Sequence, residues 1–227
     1  MKNLYLIQIG LLTFLFNSCN TGYKKDDQGV YFEYWNESGG QHKVTIDADP
    51  KTTVIYNESY AKDNTSAFYR GKKMIGADPG SFEGLSELYA RDQNSAWYTN
   101  ESIKNSNGKT FQILKHARYY AKDDKNIFYT DEQIPGADVP SFEVVDEKSD
   151  VSKDKNSYYY CSYRIPVKDY MTFEQIKGDY WKDKYHVYDI SRAFYGEDCI
   201  LTGVDPQTAK AVRDRNYIRD KYGKYPR

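Results

Sequence analysis

The residues best suited to chemistry in this 227-residue chain are few and scattered. Its histidines are His42, His116 and His186. A zinc site asks for ligands at short fixed spacings, such as Cys-x-x-Cys or His-Glu-x-x-His, and neither string occurs. The three histidines therefore read as isolated surface or half-buried side chains. Asp-x-Asn recurs, as in Asp92-Gln93-Asn94 and Asp154-Lys155-Asn156. Carboxylate and amide oxygens are the ligands calcium prefers, but a calcium loop adds further oxygens at fixed offsets, a central glycine and a distal glutamate. No copy carries these, so structural turns are expected. No Gly-x-Ser-x-Gly elbow appears, and Gly39-Gly40 opens no phosphate loop. Catalytic residues, metal ligands and cofactors are accordingly expected to be absent.

The one residue with a definite chemical prospect is Cys19. An apolar run, Leu4 to Phe16, follows the basic Lys2 and leads into Asn17-Ser18-Cys19, the layout of a secretory signal. The run covers thirteen residues, whereas a membrane-spanning helix needs roughly twenty. Leu15-Phe16-Asn17-Ser18-Cys19 resembles the lipobox of bacterial lipoproteins, although Phe16 and Asn17 depart from its commonest form. The resemblance implies cleavage after residue 18 and lipidation of Cys19. The expected organisation is a signal peptide over 1–18, an anchor and short linker over 19–26, and one repeat array over 27–227. The alternative is an ordinary signal peptide cleaved nearby. Several acyl chains on one cysteine would hold the protein to a bilayer, since each buried methylene contributes about 0.8 kcal/mol. The expected location is the bacterial cell envelope, at the outer membrane.

The remaining cysteines, Cys161 and Cys199, can pair in an oxidising envelope or stay as buried thiols; spacing leaves both open. Removing residues 1–18 removes only Lys2 among the charged residues, so 32 basic residues become 31 against 33 acidic, a net charge of −2. Nucleic acid is an improbable partner for such a balance, because binding it needs a basic face. The 24 tyrosines, 10 phenylalanines and 3 tryptophans argue against disorder and make tyrosine the core material.

Those rings recur at fixed offsets. The string Tyr-x-Lys/Arg-Asp occurs at Tyr23–Asp26, Tyr60–Asp63, Tyr89–Asp92, Tyr120–Asp123, Tyr180–Asp183 and Tyr217–Asp220, with Val151 replacing tyrosine in the copy ending at Asp154. After Asp63, Asp92, Asp123 and Asp154 a tyrosine follows at six residues (Tyr69, Tyr98, Tyr129, Tyr160) and a phenylalanine at nineteen (Phe82, Phe111, Phe142, Phe173). From each Phe to the next Asp the gap varies, 10, 12, 12 and 10 residues, so length changes fall at one place. A fixed offset beside a variable one describes a rigid module joined at an exposed turn.

Asx turn chemistry flanked by aromatic residues predicts a β-hairpin in each unit. Between hairpins stand Ala48-Asp49-Pro50, Ala77-Asp78-Pro79, Ala137-Asp138 and Val204-Asp205-Pro206. Asp as N-cap and Pro in the first turn predict a short helical turn there, closed by Ser81, Ser141 and Thr208. The fold expected is mainly β: tandem hairpin repeats of about 29–31 residues, stacked as a solenoid-like or curled array because so small a unit cannot bury its own rings. Thr53 and Ala209 stand where the first and last Phe would fall, at 27 and 26 residues from Asp26 and Asp183, which marks the terminal units as atypical caps.

The strings Lys62-Asp63 to Tyr69, Lys122-Asp123-Asp124-Lys125-Asn126 to Tyr129 and Lys153-Asp154-Lys155-Asn156-Ser157-Tyr158-Tyr159 resemble the DKNYY family, a repeat of bacterial envelope proteins. The likeness covers residues 55–190 well and the ends loosely. It implies a repeat architecture and supplies no chemistry.

Neighbouring residues in a strand point to opposite faces. If one face of each hairpin is open, Tyr69, Tyr98, Tyr129 and Tyr160 form an aromatic row able to stack on sugar rings or seat a protein. If both faces are covered, every ring is core. The function expected is a non-catalytic envelope lipoprotein scaffold, membrane-bound through its lipid, with an envelope protein or glycan as partner. The alternative is an envelope hydrolase or metal-dependent enzyme built from scattered residues.

Overall fold

The computed structural model describes residues 21–146, 148, 150–212 and 217–225. The signal segment and Cys19 lie outside the described residues.

Among the described residues the chain forms seven small antiparallel sheets in chain order. Sheet I contains β1 (Gly22–Asp26), β2 (Gly29–Asn36) and β3 (Gly40–Ile46). Sheet II contains β4 (Val54–Ile55), β5 (Tyr60–Lys62), β6 (Ala67–Tyr69) and β7 (Lys72–Lys73). Sheet III repeats it with β8 (Glu83–Gly84), β9 (Tyr89–Arg91), β10 (Ala96–Tyr98) and β11 (Glu101–Ser102). Sheet IV follows with β12 (Gln112–Ile113), β13 (Tyr120–Lys122), β14 (Ile127–Tyr129) and β15 (Glu132–Gln133). Sheet V has β16 (Glu143–Asp146), β17 (Val151–Lys153), β18 (Tyr158–Tyr160) and β19 (Tyr163–Ile165). Sheet VI has β20 (Glu174–Lys177), β21 (Tyr180–Lys182) and β22 (Val187–Asp189); sheet VII has β23 (Lys210–Ala211), β24 (Ile218–Asp220) and β25 (Gly223–Tyr225).

The motif copies fold alike. In sheets II to V both central strands are three residues long, with the first two residues buried and the third half-buried. Period-two alternation then means that both faces of each hairpin are covered. Consecutive sheets share cores. Tyr60, Ala67, Met74 and Phe82 pack with Ala90 and Trp97 of sheet III, and on the other side Ala61 and Phe68 pack with Val30 and Phe32 of sheet I. Tyr89, Ala96, Ile103 and Phe111 likewise meet Ala121 and Phe128, and Tyr120, Ile127 and Ile134 meet Tyr159. The nineteenth-residue phenylalanine is a plug against the tyrosine of its own unit, with ring centroids 6.0 Å apart for Tyr60–Phe82, 5.7 Å for Tyr89–Phe111 and 5.9 Å for Tyr120–Phe142.

The exceptional copy follows the same volume rule. Val151 leaves the space that tyrosine fills elsewhere, and across the hairpin Tyr158 replaces Ala67, Ala96 and Ile127 of the other units. The ring moves from the first strand to the second and meets Phe173 at 4.7 Å. Close-packed interiors accept such a swap because total volume is conserved.

Three expectations change. Residues 22–26, placed in a linker, form β1, because Tyr23 has a core to enter and pairs with Phe32 at 5.1 Å. Each of sheets II to IV is a four-stranded meander, since two-residue strands flank the hairpin. Of the four helical turns expected, only the one after Asp138 is a 3₁₀ turn, Val139–Ser141. Asp49, Asp78 and Asp205 head hydrogen-bonded turns that do not become helical, although Ser81 N–H and Thr208 N–H do bond Asp78 and Asp205 carbonyls at 3.3 Å. Only about one turn separates each Asp from the extended residues that follow, too short a run to propagate a helix. A further 3₁₀ turn, Tyr170–Thr172, starts after Asp169 without a proline.

Candidate functional site

The recurring Tyr-x-Lys/Arg-Asp string is the most organised constellation in the molecule, and each of its residues holds one unit to itself or to the next. The aspartate comes first. Asp63, Asp92, Asp123, Asp154 and Asp183 are buried. One carboxylate oxygen closes the hairpin turn by accepting the N–H groups two and three residues on: Thr65 and Ser66 for Asp63 at 2.7 Å each, Asn156 and Ser157 for Asp154 at 2.7 and 2.8 Å. The other oxygen reaches the preceding linker, accepting from Asp49 N–H at 3.0 Å, Asp78 N–H at 3.0 Å, Asn107 N–H at 2.8 Å and Asp138 N–H at 2.8 Å in the first four of these copies. Asp183 and Asp220 repeat the arrangement with Asp169 and Asp205. A second brace runs back from linker to turn: Ser81, Ser141, Thr172 and Thr208 hydroxyls accept N–H from Gln93, Lys155, Lys184 and Lys221. In these turns the carboxylates act as acceptors for backbone N–H groups.

Burial raises the pKa of Asp63, Asp154, Asp183 and Asp220, but the backbone N–H groups aimed at them outweigh it, and each lies below the ordinary value. A carboxylate whose folded pKa is depressed stabilises the fold fully above its unfolded pKa, near 4, and loses that contribution as pH falls through the folded value. Urea midpoints measured from neutral pH downwards should therefore stay level to about pH 5 and fall steeply below about pH 4. A midpoint flat to pH 2 would contradict this role for the aspartates.

The tyrosine ties adjacent units. Tyr60 hydroxyl lies 2.8 Å from Leu88 carbonyl and 2.9 Å from Thr99 carbonyl; Tyr89 lies 2.6 and 3.1 Å from those of Tyr119 and Thr130; Tyr120 faces Asp150 and Cys161 carbonyls in the same way. Thr99, Thr130 and Cys161 are left-handed, with φ of 52°, 55° and 54°. A β-branched residue pays a steric cost in that region, and the bond from the neighbouring unit helps hold it there. In three copies the lysine or arginine of the motif pairs across the strands with the acidic residue after the preceding phenylalanine plug: Arg91–Glu83 at 2.8 Å, Lys153–Glu143 at 3.0 Å, Lys182–Glu174 at 3.3 Å. Such exposed pairs add little stability and serve register.

The other chemistry-bearing residues stay apart. His42 stacks on Tyr34 at 5.1 Å in sheet I, His116 is exposed in the turn between β12 and β13 of sheet IV, and His186 sits in the β21–β22 turn. Cys161 occupies the turn between β18 and β19 and Cys199 the loop after the 3₁₀ segment Ile190–Tyr195; both are buried free thiols. Burial pushes both thiols up, which keeps them protonated and unreactive. Alkylation of the non-reduced chain from Asn20 onwards should add two groups only after denaturation; a mass showing a bridge would overturn the free-thiol state.

Tyr69, Tyr98, Tyr129 and Tyr160 do recur at one position of each unit, but all four are half-buried. Tyr69, Tyr98 and Tyr129 lean on the tyrosine of the preceding strand, at 5.1, 5.3 and 4.9 Å. One groove with exposed aromatic walls does exist, and the row accounts for only one of its residues. It lies where sheet I meets the next two units, lined by Phe32, Tyr34, Trp35, Tyr69, Arg70 and Asn100 among others. Trp35 carried no repeat signature, so spacing did not single it out. Among the described residues no helix is long and apolar enough to cross a membrane.

A model described as the DKNYY family matches the chain twice, over residues 3–101 and 97–163. No curated protein and no solved structure matches. The matches begin earlier than the expected 55–190 and stop within sheet V, where the copy with Val151 ends. Together they span more than half of the sequence, and they contain four units whose motif aspartates perform the same structural task. The chain therefore belongs to the DKNYY family.

Proposed function

We propose that this chain is a non-catalytic scaffold of the bacterial cell envelope, held at the outer membrane through lipidated Cys19 and offering an extended surface to protein or glycan partners. In this reading the units form an open, solenoid-like stack. One observation carries it: each internal sheet gives both faces to shared cores, so the surface left for partners is the repeated row of turns and strand edges. Repeat arrays use such rows for binding. The recurring aspartates and tyrosines of the motif hold units together within this chain, which also favours a scaffold over an enzyme assembled from scattered loops.

The experiment is a pull-down from native envelope with the chain from Asn20 onwards, polymer and protein fractions identified separately. Specific retention of one component is expected. No retention of either fraction would remove the reading. The anchor has its own test. Cys19→Ser should move the protein from the membrane fraction to the soluble fraction, because the acyl chains supply the attachment, and a variant that stays membrane-bound would exclude lipidation as the anchor.

A further inference from the structure

The groove beside sheet I includes Thr21 in its lining, together with Tyr34, Trp35, Val44, Arg70 and Lys72. Thr21 stands two residues after Cys19, with only Asn20 between them. Two residues of fully extended chain reach about 7 Å. The headgroup layer on each side of a bilayer is about 5–7 Å deep, half the difference between the full thickness and the hydrocarbon core. Acyl chains on Cys19 enter the hydrocarbon, so the rim of the groove is held at headgroup depth or immediately outside it.

The surface around that rim has the composition of a membrane interface. Trp35 and Val44 are 49% and 43% exposed, whereas the other tryptophans, Trp97 and Trp181, are each 4% exposed. Tryptophan gathers at the boundary between lipid and water because its ring is apolar and its N–H is polar. Arg70 and Lys72 are exposed, and no carboxylate is among the lining residues. Cations within a Debye length of an anionic bilayer, about 10 Å at 0.1 M salt, are drawn to its headgroups. Long basic side chains also lay their methylene stems on apolar material while the charge reaches outward.

We infer that this face lies on the bilayer, with Trp35 and Val44 entering the boundary between headgroups and acyl chains and Arg70 and Lys72 meeting anionic lipid phosphates. The inference rests on the lipidated Cys19 of the proposed function and adds which face the anchor lays on the membrane. The place of Thr21 is what selects lipid. A soluble ligand could use the same ring and the same cations, but it would have to enter the groove against a bilayer tethered about 7 Å away.

The test uses the mature lipidated protein in vesicles of phosphatidylcholine and phosphatidylglycerol, the phosphatidylcholine brominated near the top of its acyl chains. Bromine quenches tryptophan at close range, so the emission that Trp35→Phe removes reports the depth of Trp35. That emission should fall at least twofold in brominated against ordinary vesicles. Tyr185 is 57% exposed in the β21–β22 turn, and Tyr185→Trp in the Trp35→Phe background should be unquenched. A flexible spacer of about ten residues inserted after Asn20 loosens the tether and isolates the affinity of the face itself. Quenching should survive the spacer alone and be lost when the spacer is combined with Arg70→Gln and Lys72→Gln, with melting temperature unchanged. Unquenched Trp35 in the acylated protein, equal quenching at Tyr185→Trp, or loss of quenching with the spacer alone would overturn the inference. So would shielding of Trp35 from acrylamide by soluble envelope glycan fragments in place of vesicles. Intact mass separates the two readings: a chain without acyl groups on Cys19 removes the anchor and this face together, whereas an acylated chain with Trp35 unquenched removes the face and leaves the anchor.

Discussion

Asp154→Ala should be among the most destabilising single substitutions in the molecule, lowering the free energy of unfolding by about 3–5 kcal/mol. The carboxylate accepts from Asn156 N–H at 2.7 Å, Ser157 N–H at 2.8 Å, Asp138 N–H at 2.8 Å and Tyr159 hydroxyl at 2.9 Å. Bonds to a charged acceptor are each stronger than neutral ones, and truncation leaves all four donors facing an empty, buried site. The 1% exposure of Asp154 means that water enters only if the turn opens. Asp154→Asn should cost less, since the amide keeps one acceptor but turns an NH₂ group toward N–H donors. Asp26→Ala gives the contrast: Asp26 is exposed, and among the described residues it accepts only from Gln28, Gly29 and Tyr31 in its own turn, so a much smaller shift is expected. Urea midpoints of the three variants check the order, and equal midpoints for Asp154→Ala and Asp26→Ala would refute the linker brace.

Tyr89→Ala should cost about 3–5 kcal/mol and divide the array. Its ring is fully buried in the core shared by sheets III and IV, against Phe111 and Tyr98. Removing it leaves a cavity where two units meet, and in a repeat protein the coupling between neighbours is what makes unfolding cooperative. Calorimetry should then show two transitions in place of one, the units on either side of the cavity melting separately. Tyr89→Phe isolates the hydroxyl. It keeps the ring but leaves Tyr119 and Thr130 carbonyls without their donor, for an expected loss of about 1–2 kcal/mol and a single transition. A variant Tyr89→Ala that melts in one transition at the original temperature would mean that this interface carries little of the coupling.

The acid sensitivity and the aspartate substitutions bear on the same structure from two directions. Protonation weakens several copies together, whereas Asp154→Ala weakens one. The turn oxygen and the linker oxygen of each carboxylate lose their charge at once, so turn and linker should loosen in one step.

The unit was legible in the sequence because its signals are local. Asx turns at Asp63, Asp92, Asp123 and Asp154 depend on N–H groups two and three residues away, and strand alternation is a property of adjacent residues. Those features sufficed for the hairpins, for the plug at Phe82, Phe111, Phe142 and Phe173, and for the atypical ends at Thr53 and Ala209. Two-residue strands such as β4 and β7 carry too few residues to show alternation, and they went unread. The linker turns were read too strongly as helical, because an Asp-Pro pair can start a helix but cannot lengthen a segment that must extend at once into the next sheet.

What the tertiary structure alone decided is everything that depends on which neighbour arrives. The second oxygen of each aspartate finds its donor 14 to 16 residues upstream, a contact made only when linker and turn fold together. Tyr60 hydroxyl bonds Thr99 carbonyl 39 residues on, across a unit boundary that sequence spacing marks but cannot orient. Whether Tyr69, Tyr98, Tyr129 and Tyr160 stood open or covered was undecided for the same reason: alternation assigns a ring to a face, and only packing says what lies against that face. The groove at Trp35 and Asn100 is the clearest case, assembled from three units and therefore visible in no single one of them. Local chemistry wrote the module, and the burial of aromatic area between modules chose how they join.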